Sequence, residues 1–484
     1  MPTDNLDVIV IGAGPAGIVA ALRAARLAAR TALVTQDELG GMAANDGPVP
    51  VRTLAHAARL MREARQLPRY GINAGDPTLD YRRLLARVRE VTGEVREHAA
   101  LRDELERAGV TLHEHAGTAR FVEPHVIESE NGPRLQAANV IVCTGGASRQ
   151  LPLPGFELTC THSDAWRLES APDSLLVIGA GATGVQVASI FNAFGSHVTL
   201  FEAAPRILMS EDEQVAEAMS SALQGSGVRI LEHAVTIERF EPSPAGVRLV
   251  HSKNGTQAHL DATLAVVAVG WVANTDGLDL AAAGVQTDPR GYIKVDSQLR
   301  TTAPGIYAAG DVTGHLMVVH EAAREAYLAA TNATIGRVDA LPPEVSPLGS
   351  FTDPEYASVG LSEATARETH DVVVGTEGFD SMPRPIIDGR PTGFCKLIAD
   401  RETHAILGCH IVGERAVELA QVAAVAVAAG MTVDQLALVP FSFPTYANAL
   451  GRAAVRAARE LGPGSGGTDE ELGWDSGGAR PLDG

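Results

Sequence analysis

The sequence predicts an α/β fold built on two Rossmann-like dinucleotide-binding domains. One observation, made twice, predicts it. "LDVIVIGAGPAGIVAALRAARLAARTALVT" and, later, "DSLLVIGAGATGVQVASIFNAFGSHVTLFE" each run from an apolar β-rich stretch through G-x-G-x-x-G into an Ala-rich helical pattern, then into a second β-rich stretch. The glycines are Gly12, Gly14 and Gly17 in the first unit and Gly179, Gly181 and Gly184 in the second. The first glycine of each set permits a tight turn. The second lets the backbone approach a pyrophosphate, and the third lets helix and strand pack closely while the helix N-terminus faces the phosphates. A lone glycine motif is weak evidence; two in a full strand–turn–helix–strand context are strong.

The two units differ where each should meet a ribose. Glu202 closes "HVTLFE" in the second, where a carboxylate accepts from a ribose 2′-OH and repels a 2′-phosphate. That site is expected to prefer NADH, with NADPH the poorer ligand. The matching position of the first unit is Thr35. Either Asp37 or Glu38 substitutes there, or Thr35 itself bonds the ribose.

Two further stretches suit a flavin. "ANVIVCTGGASRQLPLPG" reads as a strand running into a turn at Thr144, Gly145 and Gly146. "TTAPGIYAAGDVTG" reads as a strand ending at Gly310–Asp311, where the Asp can hold a ribityl or pyrophosphate region. The helix pattern that follows, "MVVHEAAREAYLAATNA", aims its positive end at the same place, where it would stabilise negative charge on a reduced flavin. His320 in this pattern either approaches the flavin edge or is a packing histidine.

Bulk properties narrow the partners. The chain has 484 residues and a formal charge of −20, with a pI near 5.2. That balance argues against nucleic acid and anionic membrane as partners. The cysteines Cys143, Cys160, Cys395 and Cys409 form no close pair in sequence, the pattern of a reducing compartment, and read as buried small hydrophobes. No apolar run reaches the ~20 residues of a membrane helix, so no membrane insertion is expected and a cytoplasmic location is.

The stretches "VIGAGPAG", "CTGG", "VIGAGATG", "YAAGDVTG", "FTDPEYASVGLSE" and "LGCHIVGERAVELAQ" together resemble the flavoprotein disulfide reductases, the family of dihydrolipoamide dehydrogenase, mercuric reductase and soluble transhydrogenase. The resemblance covers about residues 5–460. It implies FAD, a nicotinamide cofactor, a C-terminal α+β dimerisation domain and a homodimer. Proline and turn positions then divide the chain into an FAD-binding domain (1–153 and 281–340), an NAD(P)H-binding domain (154–280), an interface domain (341–461) and an acidic tail (462–484) expected to be disordered, as is the opening "PTDNLD".

The resemblance also exposes departures. In "ELGGMAANDGPVPVR" the glycines Gly40–Gly41 and Pro50 keep the family register, but the family's two redox cysteines fall on Ala43 and Pro48 and its lysine on Arg52. The lysine's usual Glu partner falls on Gln186, and an Arg position after Gly270 holds Trp271, which also reads as a cover for the domain edge. The family's C-terminal His and Glu fall on Phe443 and Asn448 of "FPTYAN", and neither replacement can serve as base or carboxylate orienter.

These losses form a set, because a dithiol needs a base and the base needs an orienting carboxylate. The expected function is an FAD-dependent NAD(P)H oxidoreductase that hands electrons directly to a non-disulfide small molecule: a quinone, an enone or another conjugated compound. Ala43 and Pro48, with Phe443, Tyr446 and Asn448 of a partner subunit, are expected to line that acceptor's slot, and Arg52 to supply a positive charge. The plainer readings are a solvated Arg52 and an interface-core Phe443 and Tyr446. Alternatives are an NADH oxidase or diaphorase releasing hydrogen peroxide, a transhydrogenase variant, and a non-catalytic flavin redox sensor or scaffold.

Overall fold

The computed structural model describes residues 5–232, 235–337, 339–341 and 345–462. The tail 463–484 lies outside them. Of the opening "PTDNLD", residues 2–4 also lie outside them, and the rest is a correction: Asn5 already begins the first strand, and Asp7 holds Arg30 through paired bonds of 2.8 and 3.1 Å.

The runs that alternate least in polarity become the central strands. Val8, Ile9, Val10 and Ile11 are buried, as expected of a parallel strand covered on both faces. Asn5–Ile11 pairs in parallel with Thr31–Val34 on one side and Leu135–Val142 on the other. The first sheet continues outward to Thr111–His113 at one edge and through Val126–Ser129 to Ala119–Glu123 at the other. A later segment, Ile306–Ala308, returns to pair with Leu135–Val142. That return sets Gly310–Asp311 beside Cys143–Gly145.

Ser174–Ile178 and His197–Phe201 are the inner strands of a second, all-parallel sheet, edged by Leu264–Val267 and Arg229–Leu231. An antiparallel three-stranded sheet, Val235–Ser243, Gly246–Lys253 and Thr256–Ala262, packs on it through Phe240, Val247 and Leu249. The two dinucleotide-binding units are tied by a short antiparallel pair, Gly146–Ser148 with Trp271–Ala273.

The C-terminal part is a five-stranded antiparallel sheet: Leu348–Ser350, Tyr356–Gly360, Ile406–Val412, Phe394–Asp400 and Val372–Gly378, in that spatial order. The helices Ala416–Ala428 and Asn448–Leu461 share its core. A Cβ on Gly375 would fall 2.0 Å from the Ala453 carbonyl, so the helix carrying Ala449, Ala453 and Ala457 can lie close only over glycine. The helix Pro48–Gln66 stitches the three parts together. Arg62 donates to the Ser189 carbonyl at 2.6 Å, and Arg59 pairs with Glu414 at 2.5 Å. Among the described residues no helix is long and apolar enough to cross a membrane.

Candidate active site

A cavity of about 750 Å³ opens over the carboxyl ends of the first sheet. Its floor is the glycine turn. Gly12 has φ +99, and a Cβ there would meet the Cys143 carbonyl oxygen at 2.4 Å. A Cβ on Gly17 would sit 1.7 Å from the Gly12 carbonyl oxygen, so only glycine lets the helix Pro15–Arg26 approach the strand. Gly179 and Gly184 repeat both constraints, at 2.5 Å from Ala268 and 1.8 Å from Gly179. Gly14 faces Gly41 backbone to backbone across the mouth of the turn. Neither turn-borne helix has a side-chain cap, which leaves its first amides directed at an anion.

Thr35, Asp37 and Glu38 all line the ribose end of this cavity. Thr35 is buried, its amide donating to the His113 carbonyl at 2.9 Å, while Arg96 takes the carboxylate of Glu38. Thr144, Gly145, Gly310 and Asp311 line the opposite wall. Burial raises the Asp311 carboxyl, and Glu325 pushes it further the same way. The Thr144 hydroxyl and, on the segment that carries Ala43, the Asn45 side-chain oxygen are buried at the cavity without a protein partner. Orphan polar atoms around a phosphate-ready turn fit a polar ligand such as FAD.

Glu325 was not anticipated from sequence. Its fully buried carboxylate accepts the Gly310 amide at 2.7 Å and meets His315 Nδ1 at 2.6 Å, and so fixes the backbone that carries Asp311. The available signal was a second acid in "HEAAREA", on the helix face that carries the alanines. His320 takes the other face. It is exposed, and Met317 and Val318 before the helix and Val319 at its start line the cavity instead. His320 is not among the residues that line the cavity in the single chain.

At the second turn Glu202 reaches back to the glycine loop. Its carboxylate accepts the amides of Ala180 at 2.8 Å and Ala204 at 2.9 Å. Gly181 leaves open space where a Cβ would stand. Gly270 has φ +102, and its carbonyl accepts from Arg149 at 3.0 Å. The Gln186 side-chain oxygen accepts from the Ser350 hydroxyl and the Phe351 amide, both at 3.1 Å. Trp271 packs against His162 with ring centroids 5.3 Å apart.

The residues expected around an acceptor are not all brought together within one chain. Ala43 lines the cavity, with Met42, Asn45 and Asp46. Pro48 is exposed and opens the helix Pro48–Gln66, because the short helix Gly41–Asn45 stops at Asp46–Gly47. Arg52, on that second helix, places its guanidinium over the Phe351 ring. Desolvation pulls the guanidinium down to about 10 against the carboxylates of Glu355 and Glu418, so it stays charged at neutral pH. Phe443 is 72% exposed. Tyr446 is instead buried in the C-terminal core, against Phe379, with its hydroxyl donating to Asp388 at 3.2 Å. Asn448 is buried at the start of its helix. Both side chains are thus buried within their own subunit, and the Asn448 side-chain oxygen has no hydrogen-bond partner there.

Two phosphate-ready glycine turns, one of them under this cavity, fit the class of oxidoreductases that use two dinucleotides. The pyridine nucleotide-disulphide oxidoreductase family model matches residues 6–326, and the dimerisation-domain model of the same family matches 346–454. The chain is 36% identical over 459 residues to a dihydrolipoyl dehydrogenase of Thermus scotoductus, covering 93% of this chain and 96% of that one. It is 32% identical over 462 residues to a mercuric reductase of Lysinibacillus sphaericus, covering 95% and 84%. The HOCl-induced flavoprotein disulfide reductase RclA from Escherichia coli superposes with a TM-score of 0.81 at 26% identity, over 92% of this chain and 98% of that one. The chain belongs to the pyridine nucleotide-disulphide oxidoreductase family, whose members are FAD-dependent oxidoreductases of NAD(P)H.

Proposed function

We propose that this protein is a homodimeric FAD-dependent oxidoreductase that takes hydride from NADH and reduces a non-disulfide, conjugated small molecule such as a quinone or enone. The observation that carries the reading is the cavity wall at Met42, Ala43, Asn45 and Asp46, which offers no thiol. The cysteine that does line the cavity is Cys143. It is buried, and desolvation followed by the charge of Glu325 raises its thiol far from the thiolate range. Cys160 is likewise pushed up to about 12 by burial, and Cys395 and Cys409 lie in the C-terminal core.

Bound FAD supplies a two-electron relay between nicotinamide and acceptor. The chain's own residues hold and shape it. The Gly12–Gly17 turn would receive the pyrophosphate, Asp311 is fixed by Glu325 through Gly310, and the uncapped helix beginning at Val319 directs its amides at the cavity. Glu202 supports NADH as the donor. Exposed Phe443 supports a role across a subunit interface, where its ring would cover a partner's acceptor slot.

The test is anaerobic. The holoenzyme is reduced with NADH and, separately, with NADPH, then mixed with menadione, cyclohexenone, lipoamide, glutathione disulfide, mercuric ion or oxygen. Faster bleaching by NADH and rapid reoxidation by menadione or cyclohexenone are expected. Reoxidation fastest with a disulfide or with mercuric ion would overturn the reading. Oxygen as the fastest acceptor, with peroxide formed mole for mole with NADH consumed, would replace it by an oxidase.

A further inference from the structure

The wall segment that carries Ala43 also carries a carboxylate held in place from another part of the chain. Asp46 ends the short helix Gly41–Asn45, and its side chain is 22% exposed on the cavity wall. The hydroxyl of Ser163, on the helix His162–Ala165, donates a short hydrogen bond to Asp46 Oδ2. Behind Ser163 the buried His162 ring places Nε2 3.5 Å from the same hydroxyl. Burial, against the opposing pull of Asp46 and Asp164, lowers the pKa of His162 and holds the imidazole neutral. The cation near Asp46 is Arg167, 3.5 Å from Oδ1; its side chain is 72% exposed, so it offsets the Asp46 charge only in part.

We infer that Asp46, oriented by Ser163, is the charge-selecting residue of the acceptor site, admitting neutral or cationic conjugated acceptors and rejecting anionic ones. This rests on the reading that the acceptor binds on the Ala43 side of the flavin cavity. The physical ground is that a half-buried carboxylate is poorly screened, so a second negative charge within a few ångströms is disfavoured by on the order of tenfold or more. No lysine or arginine lies among the residues lining the cavity to offset it. Asp37, Asp276 and Asp311 add the same sign elsewhere on the wall. Ser163 acts through Asp46 and is a positioning residue.

Two probes of one shape that do not react test this on the oxidised holoenzyme: 2-naphthol, which is neutral, and naphthalene-2-sulfonate, which is anionic. Binding is read as perturbation of the flavin absorption band, with FAD content per chain as a control. The wild-type protein should bind the neutral probe on the order of tenfold more tightly. Asp46→Asn should collapse the ratio of the two dissociation constants to within about twofold, and Ser163→Ala should give an intermediate ratio. Asp46→Glu, which keeps the charge, should largely retain it. Arg167→Gln, at an exposed position, should widen the ratio, and keeps the inference testable if Asp46 variants fail to fold. Equal binding of both probes by the wild type, or an unchanged ratio in Asp46→Asn or Arg167→Gln, overturns the assignment of Asp46. Failure of menadione to reoxidise the reduced enzyme overturns the acceptor reading itself and is scored separately.

Discussion

The side-chain oxygen of Gln186 accepts the backbone N–H of Phe351 at 3.1 Å, and that residue's ring lies under the guanidinium of Arg52. A helix of the nicotinamide unit thus holds the first strand of the C-terminal domain in place, and that strand supports the helix after the Ala43 segment. Gln186→Leu would leave the half-buried Phe351 amide and the Ser350 hydroxyl without their acceptor. Such a loss costs about 1–3 kcal/mol. Thermal unfolding of the variant should fall by a few degrees while the KM for NADH stays close to that of the wild type. A large rise in KM at unchanged stability would restore Gln186 to the nucleotide site.

Glu202 gives the opposite pattern. Its carboxylate bonds two amides of the loops that would surround an adenosine ribose, at Ala180 and Ala204. Glu202→Gln keeps the size and removes the charge. Flavin reduction by NADH should slow by about tenfold, and the NADH-to-NADPH ratio of kcat/KM should fall by more, since a 2′-phosphate would no longer face an anion. Stopped-flow bleaching with both nucleotides measures it. An unchanged ratio would show that nucleotide choice is made elsewhere.

What could be read in the sequence was local. Gly12, Gly17, Gly179 and Gly184 announce themselves because each constraint acts within one strand–turn–helix unit, and the structure places all four as that chemistry requires. The Ser163–Asp46 bond joins residues 117 apart, and nothing periodic marks either one. One step of helix register separates His320 from Val319, which does line the cavity, and the sequence pattern does not tell the two apart. Tyr446 stood in a motif whose resemblance suggested a site, but a large ring beside Phe379 is buried more favourably in its own core. The seam joining Arg62 to Asp353 and Arg59 to Glu414 depends on tertiary packing alone.

That seam makes stability depend on pH. Glu355 lies near Arg52 and Arg59, and desolvation pushes its carboxyl from 4.5 up to about 7. The Val417 amide opposes the shift, Glu414 adds to it, and the two arginines oppose it. A raised carboxyl means that the folded protein binds the proton more tightly than the unfolded chain. Stability should therefore fall as pH rises from about 4.5 to 7 and level off above, by on the order of 3 kcal/mol for this group alone. Glu355→Gln should flatten this part of the profile. Urea unfolding at pH 5.5 and pH 8 measures the difference. A wild-type slope that survives in the variant would assign it to another group.

Phe443 and Tyr446 lie in one short stretch, yet they should separate cleanly under mutation. Tyr446→Phe removes one hydrogen bond, to Asp388, from a buried ring that keeps its contact with Phe379. The expected cost is about 0.5–1.5 kcal/mol, with little effect on turnover. Phe443→Ala truncates a ring that is 72% exposed in the single chain, so intrinsic subunit stability should change by no more than about 0.5 kcal/mol. If the ring covers a partner's acceptor slot, its loss should raise the KM for menadione severalfold and leave NADH bleaching of the flavin near the wild-type rate. Sedimentation of both variants separates loss of the dimer from loss of the slot. A Phe443→Ala dimer with unaltered menadione kinetics would confine that ring to the interface and leave the acceptor to the Ala43 and Asp46 side alone.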